Sequence, residues 1–166
     1  MSRVLDVHSR TFLADPAAVG QQLETLASAN DDFWVTDLVP PMVLDRGLAV
    51  GSSGGHGAVK YSVAKYEPGS LIEFRFDPKI GLDGVHRFEI EGDGEHVTVS
   101  HTLEAETSGI MRFMWRPLVL PIHSGVIEDI FDHLERAATG RAHRARPTGS
   151  LLRWVSRGIA ALESRG

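Results

Sequence analysis

Between residues 57 and 105 hydrophobic and polar positions alternate with a period of two. In "AVKYSVAKY", Val59, Tyr61 and Val63 oppose Lys60, Ser62 and Ala64; in "LIEFRF", Ile72, Phe74 and Phe76 oppose Leu71, Glu73 and Arg75. "VHRFEIE" sets His86, Phe88 and Ile90 against Arg87 and Glu89. "HVTVSHTLE" sets Val97, Val99, His101 and Leu103 against Thr98, Ser100 and Thr102. Turn chemistry separates the runs: "EPGS", whose proline then glycine suits a type II turn, then "GLDG" and "GDGE". Successive strand side chains point to opposite faces. The pattern therefore predicts four antiparallel strands in a meander, with one polar and one largely apolar face. The apolar face needs a cover.

A change of period supplies it. In residues 108–140, Ile122, Val126, Ile127, Ile130, Phe131 and Leu134 recur at spacings of three and four, with Glu128, Asp129, Asp132 and Glu135 on the opposite side. Gly140 is the expected stop. Pro117 and Pro121 stand near the start, so either the helix is kinked there or two helices meet. At the other end of the chain, "RVLDVHSRTFL" reads as a strand. Asp15 can then cap a helix with Pro16 in its first position and Val19, Leu23 and Leu26 on its apolar face. "SANDDFWVTDLVPPM" is irregular. The expected fold class is α+β: a curved antiparallel sheet gripping a long C-terminal helix.

Composition narrows the class. The chain has 166 residues, 42% hydrophobic and 23% charged, with no cysteine. It is long enough for one domain with a substantial core. Disulfides, thiolate catalysis and cysteine metal sites are excluded. No run approaches the ~18 apolar residues of a membrane span, and "MSRVLDVHSR" lacks the apolar core of a signal peptide; a cytoplasmic location is the simplest expectation. The net charge is −5. It is uneven, because residues 141–166 hold Arg141, Arg144, Arg146, Arg153, Arg157 and Arg165 against a single acid, Glu163. So acidic a body offers no basic face for phosphates, and nucleic acid is not an expected partner.

The stretch "GSSGGHGAVKYSV" raises the question of a phosphate loop. Such loops deliver their glycines to a helix N-terminus, where free amides meet the anion. These glycines run into a strand instead, and neither GxGxxG nor GxxxxGK fits. The phosphate reading fails.

The order of these elements, with "GGHG…KY", "YEPGS", "FRF", "GLDGVHRFEIE" and "MRFMWRPLV", resembles the START-like, or SRPBCC, helix-grip superfamily, in particular its polyketide cyclase/dehydrase-type branch. The resemblance runs from about residue 3 to residue 139. It implies a deep apolar cavity between sheet and final helix that holds a lipid, a polyketide or a similar hydrophobic molecule. It transfers no catalytic residue by position. The expected division is a ligand-binding helix-grip domain over residues 1–140, followed by an Arg-rich linker and short amphipathic helix over 141–166.

Eight residues are candidates for the ligand site: Tyr61, Phe74, His86, Phe88, His101, Met114, Trp115 and His123. His86 and His101 fall on the apolar face of neighbouring strands, and His123 on the covering helix, so the three can form a polar cluster in an apolar pocket. A buried imidazole has its pKa lowered and can act as a general base, which makes His86 and His101 the catalytic candidates. The more ordinary role is hydrogen bonding to a tyrosine, a carbonyl or a ligand group. His56 is expected at the strand entrance near the cavity rim, while His96 and His133 are expected to face solvent. No metal ligand set and no cofactor are expected.

Three readings remain open at this level, one of them a helper domain whose cavity has closed. In the other two the chain is a binding or carrier protein for a small hydrophobic molecule, or it is a cyclase- or dehydratase-type enzyme with a cavity histidine as base. In "SLLRWVSRGIAALESRG", Leu152, Val155, Ile159 and Leu162 form one helical stripe. It is expected to dock on the domain or on a second copy in a homodimer, the alternative being an anionic membrane surface.

Overall fold

The computed structural model describes residues 2–34 and 36–141. The expected amphipathic segment after residue 150 lies outside the described residues, as does most of the second part of the proposed domain division. Strand β1 (Ser2–Leu13) leads to α1 (Pro16–Leu23), and the strands β2 (Val43–Leu44), β3 (Ser53–His56), β4 (Val59–Glu67), β5 (Leu71–Phe76), β6 (Leu82–Asp93) and β7 (His96–Thr107) follow. They form one antiparallel, unclosed seven-stranded sheet in the order β1-β7-β6-β5-β4-β3-β2. The four expected strands are its centre, and the chain's first strand closes one flank by pairing with β7 along its whole length.

The glycine stretch forms a strand as well as leading into one. Gly54 and Gly55 lie in β3, wedged between β2 and β4; a Cβ on Gly54 would sit 1.9 Å from the Val43 carbonyl oxygen, and one on Gly55 would sit 1.9 Å from that of Val59. Only glycine lets the neighbouring backbones approach so closely.

After β7 the chain turns into α2 (Met111–Met114), a π-helical turn (Trp115–Val119) and α3 (Leu120–Thr139), ending at Gly140 in the left-handed conformation. This settles the choice left by the two prolines. Helical backbone continues through both, and the Leu120 N–H reaches back five residues to the Trp115 carbonyl. A wider turn relieves the crowding that a proline ring imposes on the preceding turn.

The core lies between the concave face of the sheet and α3. Val126, Ile127, Ile130, Phe131 and Leu134 pack from the helix onto Ile72, Phe74, Phe88, Val97, Val99 and Leu103. Strand β1 departs from this apolar pattern. Its inward positions include Asp6, His8 and Arg10, while Leu5 and Val7 point outward and are 64% and 57% exposed. The acids expected on the solvent side of the helix meet these groups: Arg10 binds Glu128, Asp132 and Glu135, and His8 binds Glu128. That flank is held by charge.

Candidate functional site

Between the sheet and the start of the long helix the apolar packing is incomplete and leaves a cavity of about 320 Å³. Strand alternation carries His86 and His101 to its floor. The widened helical turn presents Trp115, Leu118 and Val119 from above, and Met111, Met114 and His123 flank them. The fourth wall comes from the irregular segment around Trp34, Leu38 and Pro40, and from His56 at the end of β3.

His86 and His101 are 4% and 1% exposed and bonded to each other, with Nδ1 of His86 3.3 Å from Nε2 of His101. His86 also stacks on Phe76, with ring centroids 4.7 Å apart. Burial pushes both imidazoles far below their ordinary pKa, and the nearby His123 adds to the shift, so both are neutral. A neutral pair sharing one hydrogen bond has one proton left for its two outer nitrogens. Whichever tautomer forms, the pair therefore retains one donor and one acceptor. Those two atoms, His86 Nε2 and His101 Nδ1, have no partner among the described residues.

Of the eight candidate residues, the structure brings His86, His101, Met114, Trp115 and His123 to the cavity wall. Tyr61, Phe74 and Phe88 are on the same sheet face but packed into the core, outside the lining. Phe88 is taken up by Phe33, which meets it edge-on with centroids 5.0 Å apart. Tyr61 packs among His56, Phe74, Phe76 and His86; its buried hydroxyl has no partner among the described residues, and burial pushes its pKa upward. The sequence reading missed Trp34, which packs on His56 with centroids 5.1 Å apart. Burial lowers His56 to about 4. As expected, His96 is exposed. His133 is not: it is half-buried, with Nε2 3.0 Å from Asp32 Oδ1.

His123 links the cavity to the charged flank. Its Nδ1 lies 2.8 Å from Asp6 Oδ2, and Asp6 also receives His8 Nε2 at 3.2 Å. Burial alone would raise the Asp6 carboxyl, but hydrogen bonds from His123 and His8 outweigh it and hold the group well below the usual carboxylate range. The hydrogen bond to Asp6 raises His8, against its burial.

No protein-family model matches this chain, and no curated protein matches its sequence. Solved structures do match its shape. CalU16 from Micromonospora echinospora superposes with a TM-score of 0.58 over 98% of this chain and 97% of that one, at 14% identity. Major latex-like protein 151 from Panax ginseng gives 0.61 over 82% of this chain and 98% of that one, at 11% identity. The Aha1 dimer from Colwellia psychrerythraea gives 0.53 over 80% and 96%, at 18% identity. Among the described residues no helix is long and apolar enough to cross a membrane. At these identities the likeness is one of architecture: the chain shares with these structures an α+β helix-grip fold, an antiparallel sheet curved around a long C-terminal helix.

Proposed function

We propose that the chain binds a compact hydrophobic molecule carrying a carbonyl or hydroxyl oxygen in the cavity beneath the long helix. The observation that carries this reading is the His86–His101 pair, which keeps one donor and one acceptor unpartnered inside an apolar cavity. A buried polar atom without a partner costs about 1–3 kcal/mol, and a ligand oxygen able to accept and donate would recover it. The volume favours a small ligand. At about 320 Å³ the cavity stands at the low end of the roughly 300–1,000 Å³ typical of small-molecule sites, too small for a two-chain lipid.

Binding is better supported than acid–base catalysis at these two imidazoles. Each is held neutral, and among the described residues the only hydrogen bond at either ring is the one they share, with no carboxylate bonded to either to orient it for proton transfer. Native mass spectrometry of the purified protein tests the reading. A small molecule should co-purify, and the emptied protein should take up a naphthalene-sulfonate fluorophore saturably, one per chain. Ile122→Trp, which fills the cavity from the helix side, should reduce that uptake while the fold persists. Saturation unaffected by Ile122→Trp would place the apolar site elsewhere and retire the proposal.

A further inference from the structure

Three groups able to ligate a metal converge where β1 faces α3. Asp6 and His8 are two residues apart on the strand and so share its inward face, and His123 reaches them from the helix. Their ligand atoms all lie within 4.8 Å of one another. His123 Nδ1 is 2.8 Å from Asp6 Oδ2, and His8 Nε2 is 3.2 Å from the same carboxylate. Nitrogen and oxygen atoms bound tetrahedrally to one ion at about 2.0–2.2 Å stand roughly 3.3 Å apart. Small side-chain adjustments would bring the three into that arrangement. The geometry points to a site for a first-row divalent cation such as Zn2+, ligated by His8 Nε2, His123 Nδ1 and the Asp6 carboxylate.

Three independent features support the assignment. The first is outer support: His8 Nδ1 lies 2.9 Å from Glu128 Oε1, so a carboxylate already fixes the ring from its far side, as carboxylates do behind metal-bound histidines. The second is charge. Among the described residues, Asp6, Glu128 and Asp132 gather at this interface beside the Arg10 guanidinium. A metal takes imidazoles in their neutral form, and the carboxylates gathered here would then supply the negative charge that offsets the ion's own. The third is a further nitrogen at the border. His101 stands directly across from His8 in the β1–β7 register, its ring centroid is 5.0 Å from that of His123, and its fully buried Nδ1 has no partner among the described residues.

A His2Asp set leaves a coordination position open, as in catalytic rather than structural zinc sites. Because His123 also lines the cavity, an ion held here would stand at the cavity wall. The assignment does not depend on what the cavity itself binds.

The test is a titration of chelator-treated protein with Zn2+ by calorimetry and with Co2+ by visible absorption. One ion per chain should bind, and Co2+ should develop the d–d bands of a protein-bound site. Asp6→Asn and His123→Gln should each weaken binding at least tenfold, and Glu128→Gln by about 10–100-fold. Should a variant fail to fold, imidazole NMR of the wild type decides: Zn2+ should shift the His8 and His123 signals and leave that of His96 in place. Folded wild type that takes up no Co2+, affinity unchanged in Asp6→Asn and His123→Gln, or shifts confined to other histidines would each overturn the site.

Discussion

Arg10 on β1 donates from Nη2 to Glu128 Oε2 on α3 at 2.6 Å, closing the first strand onto the long helix across 118 residues of sequence. The same guanidinium reaches Asp132 and Glu135 through Nη1, and it sits over the Phe131 ring, with Cζ 5.7 Å from the centroid. Where the rest of the helix grips the sheet with apolar side chains, this flank grips through the Arg10 guanidinium and helix carboxylates.

Arg10→Met should therefore cost more than an ordinary surface ion pair. Arg10 and Asp132 are only 12% and 14% exposed, and the substitution takes the guanidinium away from Asp132 and Glu128 together. A loss of about 3 kcal/mol in urea unfolding is expected, at the lower end of what breaking a buried pair costs because Glu128 is 41% exposed. A loss under about 0.5 kcal/mol would class the cluster with exposed salt bridges.

His86 and His101 should be strongly non-additive. His86→Leu or His101→Leu alone leaves the other imidazole buried with no partner at all, at a cost of about 1–3 kcal/mol. The double substitution removes both polar groups from an apolar setting and should lie closer to wild type than the sum of the singles. It should also abolish selection for oxygen-bearing ligands. Chemical denaturation of the four proteins checks the first point, and additive losses would refute it.

The buried histidines also set a pH dependence. Burial lowers His56 to about 4, and His86 and His101 are lowered as well, so the unfolded chain binds protons that the folded chain refuses. Stability from these three is constant above about pH 6.5 and falls as pH drops below it, by up to ~1.4 kcal/mol per pH unit for each. The His56 share stops falling near pH 4. His8 acts in the opposite sense, since its raised value adds stability that is lost as pH rises, but it is one group against three. Urea midpoints should drop between about pH 7 and pH 5, and less steeply in His86→Leu. A midpoint that rises over that interval would contradict the neutral, buried state.

Gly20→Ala should destabilise despite alanine's higher helix propensity. The added Cβ would stand 2.5 Å from the Gly69 carbonyl oxygen, where α1 packs on the β4–β5 turn. Neither backbone can retreat without moving its element, and overpacking of this kind costs about 1–3 kcal/mol. A melting temperature equal to or above wild type would show that the turn yields freely.

Much of the architecture was legible because it is written in local periodicity. Alternation identified the inward faces of β4 to β7, so the burial of His86 and His101 follows from their being spaced by two from Phe88 and Val99. The 3.6-residue pattern likewise identified the covering helix. Alternation names a face, though, and not a depth on that face. Phe74 and Phe88 share theirs with His86 and His101, yet only the histidines border the cavity, because Phe33 closes over Phe88 from a segment with no periodicity of its own. Trp34 forms a wall for the same reason: tertiary packing placed it, and no repeat announced it. In β1 the usual rule points the wrong way, since a charged residue in isolation belongs in water and would send Asp6, His8 and Arg10 outward. They face inward because Glu128, Asp132 and His123, more than a hundred residues later, neutralise them there. A local pattern encodes how well a side chain likes water. Only the folded chain decides which opposite charge stands close enough to replace it.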